Sequence, residues 1–208
     1  MTVMQRIIKK SWLLAFPIAI LIPLAAYSQT RPPLPFEDVG ACPFECCVYR
    51  EWITNKKTAI YKNRSNNSPV VFTLSPREKV QAVTGVVITT KAGEIRIKKT
   101  ITIQAYSGDG TNKSRAIRAN PGDIVYLLTS EGEGSYKAWF KGQEIIISAI
   151  DVMEANEPGS ARYGSNIPRT TSTWWIQIKN RQGKTGWTTQ AANFDNKDAC
   201  GAPVDRSI

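Results

Sequence analysis

Hydrophobic and polar residues alternate most clearly in the stretch WWIQIKNRQGKTGW, which runs from Trp174 to Trp187. One face of an extended chain here carries Trp174, Ile176 and Ile178, whereas the residues between them form a mixed face. A two-residue period predicts a β-strand with two different faces. A polar turn containing glycine then leads to a second short strand, so the stretch predicts a β-hairpin.

Short apolar segments separated by turns recur along the rest of the chain. The predicted strands are 58–61, 69–74, 79–84, 86–90, 94–103, 124–128, 136–140 and 143–150. Asn-Pro-Gly-Asp at 120–123 and Glu-Gly-Glu-Gly at 131–134 predict turns between them. No segment has sustained helical periodicity, and only 151–156 is compatible with one helical turn. The pattern predicts an all-β fold.

The hairpin resembles the end of an SH3-like domain of the bacterial SH3 type. In that family a Trp opens one strand, a charged turn with Gly follows, and a Gly-Trp or Gly-Tyr pair opens the next strand. The matching residues here are Trp175, Ile178, Gly183, Gly186 and Trp187. Residues 58–85 resemble the front half of the same domain, but no Trp follows Gly85 where the next hairpin should close.

This resemblance implies two tandem or fused SH3-like small β-barrels stapled by disulfides. We expect the first module at 47–106 and the second at 107–208, completed by the Trp174–Trp187 hairpin. A long loop at 151–173 interrupts the second module, and a loop of this length inside a compact domain is usually functional or disordered. A proline-rich leader with cysteines at 29–46 precedes both modules.

Residues 1–28 have the features of a secretory signal peptide. A basic start is followed by an apolar run at 12–26, and Ala26-Tyr27-Ser28 predicts cleavage before Gln29. The run is shorter than the roughly 20 residues that a membrane-spanning helix needs. We therefore expect a periplasmic or secreted protein with no stable membrane insertion after cleavage.

The leader that follows at 29–36 is rich in proline and predicts an extended linker. Its Arg-Pro-Pro-Leu-Pro sequence at 31–35 also looks like a ligand of SH3 domains. Docking of this segment onto the protein itself, or onto a neighbouring copy, is therefore the alternative.

The chain has four cysteines, which are Cys42, Cys46, Cys47 and Cys200. An even number in an exported protein predicts disulfides. Two pairings remain open, namely Cys42–Cys46 with Cys47–Cys200, or Cys42–Cys47 with Cys46–Cys200. Either one ties the start of the exported chain to its end. A zinc site of four thiolates is a further alternative, although the chain lacks two CxxC motifs.

The amino-acid composition excludes several classes of function. The chain contains no histidine, which excludes Ser-His and Cys-His catalysis and the usual His-bearing metal sites. We therefore expect no enzyme activity, cofactor or metal. Three of the 27 basic residues and none of the 17 acidic residues lie in the signal segment, which leaves 24 − 17 = +7 on the exported chain. Such a charge favours anionic partners, but export disfavours nucleic acid.

The resemblance also implies the ligand class, which is a cell-wall peptide or an extended protein segment. Either Trp174 or Trp175 is expected to be the exposed ring on which the ligand stacks. Further aromatic residues are expected to contact the ligand, and arginines to pair with its carboxylates. The candidates beyond these two are Tyr61, Tyr126, Trp139, Tyr163, Arg64 and Arg162. The alternative function is that of a structural subunit or inhibitor of another envelope protein.

Overall fold

The structure, a computed structural model, describes residues 31–107, 113–161, 164 and 166–200. The predicted signal peptide lies outside these residues, as do Arg162 and Tyr163. Within the described ranges the chain forms fourteen strands and one α-helix, α1 (Ala149–Asn156). The strands are β1 (Phe36–Val39), β2 (Glu51–Thr54), β3 (Thr58–Tyr61), β4 (Val70–Leu74), β5 (Lys79–Lys91), β6 (Gly93–Arg96), β7 (Ile101–Tyr106), β8 (Ser114–Ala119), β9 (Ile124–Gly132), β10 (Ser135–Phe140), β11 (Gln143–Ser148), β12 (Thr171–Lys179), β13 (Thr185–Thr188) and β14 (Phe194–Asp195). The predicted all-β class is confirmed.

The first sheet has eight strands in the order β14–β2–β5–β12–β13–β3–β4, with β1 also paired to β5. Phe194 on β14 and Leu74 on β4 lie at opposite ends of this order, yet both belong to one buried cluster. The sheet therefore curls into a half-barrel. Trp52, Ile60 and Ile176 are fully buried at its centre, and burial of such side chains is the main stabilising contribution.

The Trp174–Trp187 hairpin lies in the first sheet, so the prediction that it completes the second module is wrong. Strand β12 pairs antiparallel with β5, with Trp174 opposite Val87, and β13 pairs with β3. The prediction followed the rule that strands close in sequence usually pair. Here the apolar face of β12 fills the half-barrel instead, because Ile176 and Ile178 complete the cluster around Trp52.

The second sheet has six strands in the order β6–β9–β10–β11–β7–β8 and lies wholly between β5 and β12 in the sequence. Strand β6 pairs with β9, and β7 pairs with β8, so both strands belong to the second sheet. The predicted boundary of the first module, 47–106, wrongly included them. The helix α1 buries Val152 and Met153 against the core of this sheet. Its N-terminus is capped by Ser148, whose side chain accepts a hydrogen bond from the Asp151 backbone N–H.

The segment predicted as a long loop at 151–173 is partly regular. Helix α1 extends to Asn156, and β12 begins at Thr171. Gly93, at the start of β6, lies so close to Pro168 that a Cβ on it would overlap the Pro168 backbone. The chain thus enters and leaves the second sheet at neighbouring points.

The two sheets meet through β1 and β5 on one side and β9 and β10 on the other. Phe36 packs against a small cluster formed by Ala92, Tyr126 and Leu128. The Thr89 hydroxyl donates a buried hydrogen bond of 3.0 Å to the Leu128 carbonyl. This junction therefore has both apolar and polar contacts between the sheets.

Two disulfides join Cys42 to Cys47 and Cys46 to Cys200. This is the second of the two predicted pairings, and it leaves no thiolate for the alternative zinc site. The Cys46–Cys200 bridge spans 154 residues and ties the segment before β2 to the segment after β14. Disulfides of this kind indicate that the protein folds in an oxidising compartment.

Candidate ligand-binding face

Trp174 lies on the core-facing side of the first sheet, within an aromatic cluster. Its ring centroid is 6.2 Å from that of Trp52, 6.5 Å from Tyr49 and 6.0 Å from Phe44. The indole Nε1 donates a hydrogen bond of 3.2 Å to the Tyr49 hydroxyl. The Tyr49 hydroxyl in turn donates to the Ala41 carbonyl. Trp174 is thus engaged by packing and hydrogen bonding within the protein.

Trp175 points to the opposite side of the same strand, where it is only 6% exposed. Its partner across the strand pair is Val86, which is also buried. An aromatic side chain this buried offers little area to a ligand. Neither of the two adjacent tryptophans presents a largely exposed ring.

Trp187, on strand β13, provides an aromatic surface that is more accessible than that of Trp175. It is half-buried and lies directly opposite Tyr61 on β3 and Gln177 on β12. Side chains of directly opposed residues share one face of a sheet. Gly186 allows this close pairing, because a Cβ there would come within 2.7 Å of the Tyr61 carbonyl oxygen.

Arg64 completes this surface from the β3–β4 loop. Its guanidinium carbon is 5.7 Å from the centroid of the Trp187 ring, a distance at which a cation and an aromatic face attract. Its Nη1 also lies 2.9 Å from the Glu37 carboxylate, and both side chains of this ion pair are partly exposed. We call the surface formed by Tyr61, Arg64, Gln177 and Trp187 the Trp187 face.

Exposed cations surround the Trp187 face. They come from the β3–β4 loop and from the β12–β13 hairpin, and they are Lys62, Lys179, Arg181 and Lys184. None of the four forms an ion pair with another residue in the described ranges. The hairpin turn is ordered by Asn180, whose side-chain oxygen accepts hydrogen bonds from the backbone N–H groups of Gln182 and Lys184. We call these four residues the basic rim.

The other predicted aromatic residues lie at the junction of the two sheets. Tyr126 on β9 is buried, and Trp139 on β10, directly opposite it, packs against the same cluster. The candidates that the structure describes thus fall into separate places, namely the half-barrel core, the Trp187 face and the junction. Tyr61 is therefore on a different surface from Tyr126 and Trp139.

The described part of the leader lies against the junction. Pro32 is buried, and Arg31, Pro32 and Leu34 border a groove of about 430 Å³ that Tyr126 and Pro168 also line. The other residues of the 31–35 segment are exposed. Within this segment, burial of the kind expected for self-docking is therefore limited to Pro32.

Sequence reasoning used Trp187 to recognise the hairpin but did not include it among the ligand residues. The resemblance to SH3-like domains implied the adjacent Trp174 and Trp175 as the ligand platform instead. The two-residue period contained the missing signal, because with Ile176 and Ile178 in the core Gln177 must lie on the other face of the strand. The partner of Gln177 across the hairpin is Trp187.

Comparison with protein-family models, curated proteins and solved structures finds no match to this chain. Across the residues that the structure describes, no helix combines the length and the apolar character needed to cross a membrane.

Proposed function

We propose that this protein is an exported, non-enzymatic binding protein and that its first sheet is an SH3-like barrel interrupted by the second sheet. Its Trp187 face binds an extended peptide that carries carboxylates, such as a cell-wall peptide in the periplasm or outside the cell. The observation that carries this proposal is the half-buried Trp187 ring with Arg64 above it and the basic rim around it.

Each part of the face has a role in this proposal. An apolar part of the peptide stacks on Trp187 and Tyr61, because aromatic side chains contribute much of the binding energy at such surfaces. A peptide carboxylate takes the place of Glu37 on Arg64. This exchange costs little, since a solvent-exposed ion pair contributes about 0–1 kcal/mol. The basic rim attracts the anionic peptide and increases its rate of association.

The composition supports a binding function over catalysis. The chain has no histidine to act as a general base, and its four cysteines form the two disulfides. None of the four residues of the Trp187 face carries a carboxylate, and the neighbouring Glu37 is paired with Arg64.

An envelope protein partner is the second candidate, and the edge of the first sheet favours it. Strand β4 is the last strand in the sheet order and pairs only with β3 among the described strands. Val70 is 50% exposed and Val71 is 38% exposed on this strand. An exposed edge with apolar side chains can accept an extended segment of another protein by strand pairing.

The test is a pull-down of the oxidised protein on purified peptidoglycan, with Trp187→Ala and Arg64→Gln in parallel. The matched controls are Tyr106→Ala and Arg96→Gln, which remove an exposed aromatic ring and an exposed arginine from the second sheet. We expect the parent and both controls to be retained and the two Trp187-face variants to be lost.

Retention of all four variants would contradict the proposed face. Failure of the parent to be retained would contradict a wall ligand. Cross-linking in an envelope extract, with Val71→Lys as the edge variant, would then test the protein-partner alternative.

A further inference from the structure

A second cavity lies at the junction of the two sheets, away from the Trp187 face. It has a volume of about 330 Å³ and is bordered by residues 38–42 of the first sheet and its following turn. From the second sheet it is lined by Thr129, Ser130 and Glu131 of β9 and by Lys137 of β10. A volume of this size suits a small ligand.

The cavity wall carries more negative than positive charge. Lys137 Nζ lies 2.6 Å from the buried Asp38 carboxylate and 3.3 Å from Glu144. Glu131 is near enough to interact electrostatically with Lys137, Asp38 and Glu144, and with Asp38 it gives the cavity wall two carboxylates against the one ammonium group of Lys137. Burial raises the pKa of Glu131, the Lys137 charge opposes this increase, and the charges of Asp38 and Glu144 add to it. The excess of carboxylates favours a cationic ligand over an anionic one.

The electrostatic balance at Lys137 shows that this site stabilises an ammonium group. Burial by itself lowers the pKa of Lys137. The hydrogen bond and the charge of Asp38, with the charge of Glu144, outweigh that effect and raise the pKa. Glu131 is exposed and has no ion-pair partner within 4.0 Å among the described residues, so its carboxylate is accessible to a second ammonium group.

Thr129 gives an independent indication that a ligand belongs here. Thr129 is 2% exposed, and its hydroxyl oxygen has no hydrogen-bond partner in the described part of the chain. It lies directly opposite Lys137 in the β9–β10 pair, so both side chains are on the face that meets the first sheet. Buried polar groups are nearly always paired, and an orphaned hydroxyl on a cavity wall therefore calls for a partner.

The donor set does not suit a metal ion. Among the described residues, the one group of three potential ligands at coordinating distance is Glu45 with Cys46 and Cys200. Those two cysteines are joined in a disulfide, and the carboxylates around Lys137 are not close enough to one another to share an ion.

We propose that the junction cavity binds the primary ammonium group of a small aliphatic amine. The Glu131 carboxylate is its counter-ion, and the Thr129 hydroxyl accepts a hydrogen bond from one of its N–H groups. An ammonium group has three donors and can bond a carboxylate and a hydroxyl at the same time. This site is independent of the proposed function of the Trp187 face.

The experiment is an amide NMR titration of the oxidised protein with cadaverine, and with glutarate as a probe of similar length and opposite charge. We expect saturable shifts with cadaverine at residues 38–42 and 129–131, and none at these residues with glutarate. Glu131→Gln should weaken cadaverine binding about tenfold, because it removes a charged hydrogen-bond partner. Glu133→Gln, which makes the same charge change two residues away, should leave the binding unchanged.

Thr129→Val separates binding from folding, since valine keeps the shape of threonine and removes only the hydroxyl. We expect a melting temperature no lower than that of the parent together with weaker cadaverine binding, by a factor of about five. The proposal is overturned if cadaverine causes no saturable shifts at the cavity, or if glutarate causes the same shifts. Equal weakening by Glu131→Gln and Glu133→Gln would also overturn it.

Discussion

Trp174 Nε1 donates a hydrogen bond to the Tyr49 hydroxyl across a gap that only the absence of a side chain on Gly85 leaves open. This bond joins β12 to the segment that precedes β2, two parts of the chain separated by 125 residues in sequence. The tryptophan that the sequence singled out as a ligand platform thereby contributes to the closure of the half-barrel.

Replacement of Trp174 should therefore affect stability. Truncation of a large buried aromatic side chain typically costs about 3–5 kcal/mol, and we expect Trp174→Ala to lie near the lower end because the ring is only partly buried. Trp187→Ala should cost about 1 kcal/mol, as for a partly exposed side chain. Guanidinium denaturation followed by circular dichroism measures both. Equal costs for the two variants would contradict the assignment of Trp174 to the core.

Gly85 should not tolerate a side chain. A Cβ at this position would lie 2.9 Å from the Ala41 carbonyl oxygen and still closer to the Tyr49 and Trp174 polar atoms. We expect Gly85→Ala to destabilise the protein and to cost less in a Tyr49→Phe background, where the hydroxyl is already absent. A double-mutant cycle of unfolding free energies measures this coupling. Additive costs would show that the hydroxyl is not the obstacle.

Tyr49 should make the protein less stable in alkaline solution. Burial raises its pKa to about 12, the hydrogen bond from Trp174 opposes this effect, and the charge of Asp38 adds to it. In the unfolded chain the pKa of this tyrosine is about 10. Between these values the unfolded state has lost the proton that the folded state retains, so the free energy of unfolding falls as the pH rises.

This effect can be measured by chemical denaturation below and above the unfolded pKa of tyrosine. Tyr49→Phe is the control, because it keeps the ring and removes the ionising group. We expect the loss of stability on going from about pH 9 to about pH 11 to be smaller in this variant. An identical pH dependence in the parent and in Tyr49→Phe would refute the argument.

The two disulfides should contribute unequally to stability. In the chain-entropy model, a bridge that closes a loop of 154 residues stabilises by about 5 kcal/mol, and one that closes a loop of 5 residues by about 2 kcal/mol. Replacement of Cys46 and Cys200 by serine should therefore lower the unfolding free energy more than replacement of Cys42 and Cys47. Thermal denaturation of the two double variants gives the comparison, and the reverse order would contradict it.

Local structure was largely predictable from the sequence. The predicted strand at 58–61 is β3, and the predicted strand at 136–140 lies within β10. Each strand has an alternating or compact apolar pattern bounded by turn residues. Because this pattern lies within a few consecutive residues, it can be recognised from the sequence alone. The predicted strands at 79–84 and 86–90 form one continuous strand, β5, because Gly85 is extended and paired with Ile176.

Pairing between distant segments was not predictable in the same way. Nothing near Trp174 in the sequence specifies β5 as its neighbour, because the partner lies beyond the whole second sheet. The site was missed for the same reason. Arg64 and Trp187 come together only after β13 has paired with β3, so their cation–π contact is a product of the fold.

The close approach of Gly93 to Pro168 bears on the order in which the protein assembles. Every strand pair of the second sheet is formed within residues 93–148, so this sheet can fold from an uninterrupted piece of chain. In the folded protein Gly93 and Pro168 lie side by side, so the folded second sheet holds the end of β5 close to the start of β12. We therefore expect that the entropic cost of pairing β12 with β5 is smaller when the second sheet is already folded.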